Sequence, residues 1–167
     1  LNGVDYSVGS KTFFSFYIRP VLISIFPRGG RFMHSAIDQA TSIMVSGRFL
    51  DGFSEKVIMR WSWDGGSKFL TSSVQVQSST QAIIIAPANM RYQTVLDSFD
   101  VDLEITLNGF EYSFQSGVSF RFFTEPNFND FYPRGGPREG GTIVTYLGKG
   151  FERFNDGSVL AKFGPQV

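Results

Sequence analysis

The sequence contains no cysteine, which removes disulfides, thiolate metal ligands and a cysteine nucleophile together. Its one histidine, His34, excludes a histidine-rich metal site and leaves a single imidazole for acid–base work. Lys plus Arg and Asp plus Glu both total 15, so no net field selects nucleic acid, an anionic membrane surface or an acidic substrate. No apolar run approaches the roughly 20 residues of a membrane span. Gly-rich phosphate loops opening a helix, G-x-S-x-G elbows and Asn-x-Ser/Thr sequons are all missing as well. The expectation is a protein that is no enzyme, with no catalytic, cofactor-binding or metal residues to name and no cofactor. Leu1 is neither an initiator Met nor the start of a signal peptide, and the chain reads as part of a longer protein.

What is present is aromatic. Nineteen Phe, six Tyr and two Trp stand against 18% charged residues, and 42% of the chain is apolar, the composition of a molecule with a filled core rather than a disordered tail. A length of 167 residues allows one whole domain and part of another.

The chain also repeats itself. Residues 1–30 align with residues 107–136 at a constant offset of 106 without a gap, and 13 of the 30 positions are identical, where chance gives roughly two. The identities fall on turn residues and aromatics: Asn2/Asn108, Gly3/Gly109, Phe14/Phe120, Phe16/Phe122, Pro20/Pro126, and Pro27-Arg28-Gly29-Gly30 against Pro133-Arg134-Gly135-Gly136. After a deletion of about five residues, Ser42 to Gly47 faces Ile143 to Gly148, and Val57-Ile58-Met59 faces Val159-Leu160-Ala161. The frame divides the chain into 1–20, the closing strands of one unit, 21–126, a complete unit, and 127–167, the opening strands of a third. If the equivalent stretches fold alike, Phe14 and Phe120 occupy similar surroundings, and dissimilar ones count against the modular reading.

Hydropathy alternates with the period of strands, not helices. Phe99, Val101, Leu103, Ile105 and Leu107 alternate with Asp100, Asp102, Glu104 and Thr106, a half-buried strand. Val57, Met59, Trp61 and Trp63 do the same, as do Phe120 and Phe122 around Arg121. Gln81 to Ala86 is a continuous apolar run that suggests a strand buried on both faces. Turn chemistry marks Pro27 to Gly30, Asp64-Gly65-Gly66, Asn155-Asp156-Gly157 and Asn108-Gly109, the last suited to a tight hairpin. The fold expected is all-β, an antiparallel β-sandwich of tandem units joined closely at Pro20 and Pro126.

The run Pro133 to Thr142, followed by Val144, Gly148, Lys149, Gly150 and Phe151, resembles the opening of an immunoglobulin-like domain of the IPT/TIG family. Ser79-Thr80 ahead of Ile83 to Pro87 resembles the central strand of that family, which ends near a Pro-Ala, here Pro87-Ala88, and Asn108-Gly109 with Tyr112-Ser113 resembles its last hairpin. The middle unit departs from the pattern with Gln39-Ala40-Thr41 in place of Gly140-Gly141-Thr142 and Phe49 in place of Gly150, which bears on loop geometry rather than on fold. The resemblance implies a structural and protein-binding module of extracellular or cell-surface proteins, with partners in neighbouring domains or copies, and a longer chain or homopolymeric, filament-like assembly. It also implies two alternatives: a module of an intracellular DNA-binding factor, or an accessory domain of a carbohydrate-active enzyme.

Each polar cluster has two readings. Asp100, Asp102 and Glu104 on one strand face are either Ca²⁺ ligands or the solvated side of an amphipathic strand. Asn127, Asn129, Asp130 and Asp156 are either an interdomain cation site or turn residues. The two Arg-Gly-Gly runs are either RNA-binding boxes or loop geometry. Thr71 to Thr80 is either a carrier of O-linked sugar or a polar edge strand. In each pair the second reading is the expectation.

Overall fold

The computed structural model of the chain describes residues 14–32, 40–53, 56–87, 98–113, 116–151 and 161–164. They form strands and no helix: β1 (Val21–Phe26), β2 (Gly29–Arg31), β3 (Ser42–Arg48), β4 (Ile58–Trp63), β5 (Lys68–Val76), β6 (Gln81–Ile85), β7 (Ser98–Thr106), β8 (Ser119–Phe123), β9 (Asn127–Tyr132) and β10 (Thr145–Lys149). The protein is all-β. The first eight strands make one sheet in the order β1-β3-β6-β5-β4-β7-β8-β2, and β9 with β10 makes a second. Every pairing is antiparallel except that of β2 with β8, which is parallel.

β5 links the two halves of the large sheet. From Lys68 to Ser73 it pairs with β4, and from Val74 to Val76 with β6. Among the described residues each of its positions therefore has one neighbouring strand, so the polar tract from Thr71 lies on an edge there and yet carries the chain from one half to the other. The inward residues of both halves share one cluster: Leu22, Ile25, Ile43, Val45, Ala82 and Ile84 on one side, Met59, Trp61, Val101, Leu103, Ile105, Phe120 and Phe122 on the other. The period-2 alternation read around Phe99 to Leu107 is what delivers those side chains inward. At the centre Trp61 meets the edge of Phe120 at 5.6 Å, and its indole N–H donates to Ser72 Oγ at 2.8 Å, so the one polar atom of the ring is satisfied.

The β9–β10 hairpin copies the β1–β3 pairing. In the first, Val21 faces Arg48 and Leu22 faces Gly47, the register shifts past Ile23, and Ser24, Ile25 and Phe26 face Ser46, Val45 and Met44. In the second, Asn127 faces Lys149 and Phe128 faces Gly148, the register shifts past Asn129, and Asp130, Phe131 and Tyr132 face Leu147, Tyr146 and Thr145. Every residue of β9 lies 106 beyond its counterpart in β1, and every residue of β10 lies 101 beyond its counterpart in β3. The Phe26–Pro27 and Tyr132–Pro133 peptide bonds are both cis. A close approach is copied too. A Cβ on Gly47 would stand 2.5 Å from the Val21 carbonyl oxygen, and one on Gly148 would run into that of Asn127.

The other end of the repeat is not copied. Phe120 is 0% exposed, whereas Phe14 is 82% and Phe16 92% exposed, and residues 14–20 form no strand. The expected likeness of surroundings does not hold for this pair. Phe120 lies opposite Val101 on β7, whereas Phe14 pairs with no strand among the described residues.

Three further expectations are corrected. Gly29 and Gly30 belong to β2, not to a turn, and lie along Arg121 and Phe122 of β8. The Gln81–Ile85 strand is buried on one face only: Ala82 and Ile84 point inward, while Ile85 is exposed because no layer of the described residues covers the outer side. Asn108-Gly109 does not make a two-residue hairpin. Thr106 bridges to Tyr112 across five residues, and Asn108 Oδ1 accepts from the Phe110 and Glu111 amides at 3.0 Å while Thr106 Oγ1 accepts from Gly109 at 3.1 Å. Gly109 takes φ +83° in this loop. Asn155-Asp156-Gly157, Asn2, Gly3 and residues 88–97 lie outside the described residues.

Candidate functional site

The strand of carboxylates is committed to arginine. β7 turns Asp100, Asp102 and Glu104 to the outer side of the sheet, since Val101, Leu103 and Ile105 fill the core. Cross-strand register then brings Arg121 opposite Asp100 and Arg60 opposite Glu104. Arg121 donates from Nε to Asp100 Oδ1 at 2.8 Å and from Nη2 to Oδ2 at 2.9 Å, a bidentate pair. Arg60 donates from Nε to Glu104 Oε2 at 2.7 Å and also through Nη2, and its guanidinium lies 4.1 Å from the centre of the Tyr112 ring. That pair is the better shielded of the two. With two of the three carboxylates already neutralised, the strand face is a solvated, charge-paired surface, and among the described residues no group of three or more His, Asp or Glu stands close enough to hold a metal ion.

The second cluster behaves likewise. Asp130 Oδ1 accepts from its neighbour's amide, Phe131 N, at 2.8 Å and from Arg134 Nη2 at 2.9 Å. Asn129 is the residue at which the β9–β10 register shifts. His34 and Asp156 lie outside the described residues. The Arg-Gly-Gly runs are held by the fold: the Arg28 carbonyl accepts from the Arg121 amide at 2.9 Å, and Arg134 pairs with Asp130.

Three aromatic or apolar surfaces stand out among the described residues. The first is the stretch leading into β1. Tyr17 stacks on Phe53 with ring centres 5.4 Å apart and planes 9° from parallel, and Pro20 is buried. The Tyr17 hydroxyl is shielded from solvent and has no hydrogen-bond partner among the described residues, and its pKa is raised above 10.0 by desolvation and then by the charge of Glu111, with Arg19 acting the other way. The second is an apolar row across the outer side of β1, β3 and β6. Phe26 faces Met44 and Met44 faces Ile83, with Ile85 one step along the same face. Phe26 is 75% exposed, and Met44 and Ile85 are about half exposed. The third is the β9–β10 face, where Phe128 stacks on Phe131, both meet Tyr146 at a tilt, and Phe163 reaches Tyr146 at 6.1 Å.

No protein-family model matches the chain, and no curated protein does.

The sequence signalled the charged strand but not these contact surfaces. Tyr17 and Phe53 are 36 positions apart with no pattern joining them. The outer row was concealed by the continuous run Gln81 to Ala86, whose alternate members serve opposite faces. Among the described residues no helix is long and apolar enough to cross a membrane.

Proposed function

We propose that the chain is a segment of a tandem array of immunoglobulin-like β-sandwich modules of the IPT/TIG kind, a non-catalytic structural and protein-contact element of an extracellular or cell-surface protein. One observation carries the reading: the β9–β10 hairpin repeats the β1–β3 register, bulge included, at fixed offsets of 106 and 101 residues. Two elements start again as the same object, and a chain that restarts its own fold about every hundred residues builds a row of modules. In this reading residues 1–20 close one module, 21–126 make the next, and 127–167 open the third.

The path of the large sheet supports the immunoglobulin-like form. A sheet whose strand β5 passes from one half to the other, with both halves facing one core, is a two-layer architecture closed over its apolar faces. The transfer of the chain from β1, at one end of the strand order, to β2, parallel to β8 at the other, is the kind of edge switch such sandwiches use. The stacking of Tyr17 on Phe53 favours a close joint with the preceding module, and the exposed row of Phe26, Met44 and Ile85 is the kind of apolar patch that marks protein contacts. Arg60, Arg121, Arg31 and Arg134 each have a carboxylate partner, which disfavours a phosphate-binding face.

At about 3.3 Å per residue the nine-residue strands β5 and β7 span about 30 Å, a module with its loops is roughly 35 to 45 Å long, and modules in series give a rod. Negative-stain images of the full-length protein from its source are expected to show beaded rods with that spacing. Single compact particles of the same mass would refute the reading.

A further inference from the structure

The β9–β10 hairpin has a face that its copy keeps covered. The core positions of the first hairpin, Leu22, Ile25, Ile43 and Val45, are all buried beneath the sheet half that carries Trp61, Leu103, Phe120 and Phe122. Their counterparts at the same register, Phe128, Phe131, Val144 and Tyr146, keep the apolar alternation but remain partly or largely open, Phe128 by 50%. The glycine pair tells the same story. At Gly29 and Gly30 the missing side chains make room for β8: a Cβ would stand 2.9 Å from the Arg121 carbonyl oxygen and 2.9 Å from the Phe120 ring. At Gly135, the counterpart of Gly29, a Cβ would meet nothing within 4 Å, while at Gly136 Thr142 crowds the place as Thr41 does at Gly30. At Gly135 the clearance for a strand is kept where no strand of the described residues lies. One aromatic does reach the face. Phe163 packs on Tyr146, and in the repeat frame, 102 residues on, Phe163 holds the place of Trp61.

We infer that the Phe128–Phe131–Tyr146 face, flanked by Gly135-Gly136, is the open half of a core, and that its occupant is a β-sheet with the chemistry of β4–β7–β8. That sheet carries bulky aromatic and aliphatic residues at alternate positions, and one of its strands runs parallel past the glycine pair. The inference rests on the tandem reading above and adds to it a specific docking surface. The hairpin's stacked aromatics supply one side of an interior, and packing to core density needs the other.

The test extends the chain with its own material. Residues 1–163 are joined directly to a second copy of residues 62–126, so that Phe163 stands at the place of Trp61, and a parallel version carries Ala161→Met to restore the counterpart of Met59. Amide hydrogen exchange is expected to slow by at least about tenfold within β9 and β10 relative to the unextended chain, with matching protection in the added strands. Tyr146→Asp in the extended chain is expected to abolish both effects while β1 to β8 exchange as before. Added strands that are protected but indifferent to Tyr146→Asp would overturn the docking surface and leave the tandem reading standing. Added strands that stay unprotected in both versions, with β9 and β10 unchanged, would also overturn it, whereas failure of the tandem reading itself is seen separately, in images without beads.

Discussion

Two residues sit in surroundings at odds with their type. Phe49 has φ +58°, a region that costs an ordinary side chain about 1–2 kcal/mol, and with the residue 42% exposed its burial offsets only part of that. At the matching position of the β9–β10 unit, 101 residues on, stands Gly150 with φ +88°. The difference in residue type noted in the sequence is therefore not a difference in backbone region. Phe49→Gly is expected to raise the unfolding free energy by roughly 0.5–1 kcal/mol, after allowing for the greater unfolded-state freedom of glycine. Thermal melts followed by circular dichroism check it, and a lowered midpoint would mean that the ring holds something in place. Tyr17 is the second case. Its phenol has a folded pKa above the unfolded value, through desolvation and then Glu111, so the neutral form is the one the fold favours. The sign follows: this contribution is complete below about pH 10 and is lost as pH rises through the folded pKa. Since the hydroxyl has no partner to lose among the described residues, Tyr17→Phe is expected to be neutral or mildly stabilising at pH 7 and to flatten the fall in stability above pH 10, measured by urea titration at pH 7 and pH 10.5.

At the scale of elements, β2 shows what the sequence made legible and what it did not. Alternation exposed β4, β7 and β8 because their inward positions are uniformly apolar and most of their outward ones, Ile58 and Phe123 apart, are polar. The pair Gly29-Gly30 has no alternation to read, and glycine signals a turn by composition alone. Only the three-dimensional closeness of β8 reveals that the pair exists to let two backbones approach. The outer row of Phe26, Met44 and Ile83 was hidden for a related reason, since which face of a strand meets solvent depends on layers that are far away in sequence. The pairing of Asp100 with Arg121 and Glu104 with Arg60 was half legible: the carboxylates were plain, but their partners depend on register between strands. Gly29→Val tests the β2 account. Its Cβ would lie 2.9 Å from the Arg121 carbonyl oxygen and 3.4 Å from the Phe123 ring, and such overpacking costs about 1–3 kcal/mol. The equivalent Gly135→Val, 106 residues on, where a Cβ meets nothing within 4 Å, is expected to leave the unfolding free energy within about 0.5 kcal/mol of the parent. Equal losses at both sites in urea titrations would show that the glycines act through the unfolded chain instead.

For the molecule as a whole, the question is whether one cooperative unit or two respond to denaturant. Both tryptophans, Trp61 and Trp63, lie on β4, so their fluorescence follows the eight-stranded sheet and not the β9–β10 hairpin. The cluster that holds that sheet together draws on β1, β3, β4, β6, β7 and β8 and takes no residue from β9 or β10. Phe120, fully buried against Trp61 and Phe122, carries much of it, and Phe120→Ala is expected to lower the tryptophan-detected stability by about 3–5 kcal/mol. Tyr146→Asp damages the stacked aromatics of the hairpin instead, and is expected to leave the tryptophan transition within about 0.5 kcal/mol of the parent while amides of β9 and β10 exchange faster. A hairpin that is open on one face contributes little to its neighbour's stability, so the two variants should report separately, as units in a row do when their shared boundary is small. A large shift of the tryptophan transition on Tyr146→Asp would instead mean that the β9–β10 face is already covered by the sheet beside it, and the division of the chain at residue 126 would have to be abandoned.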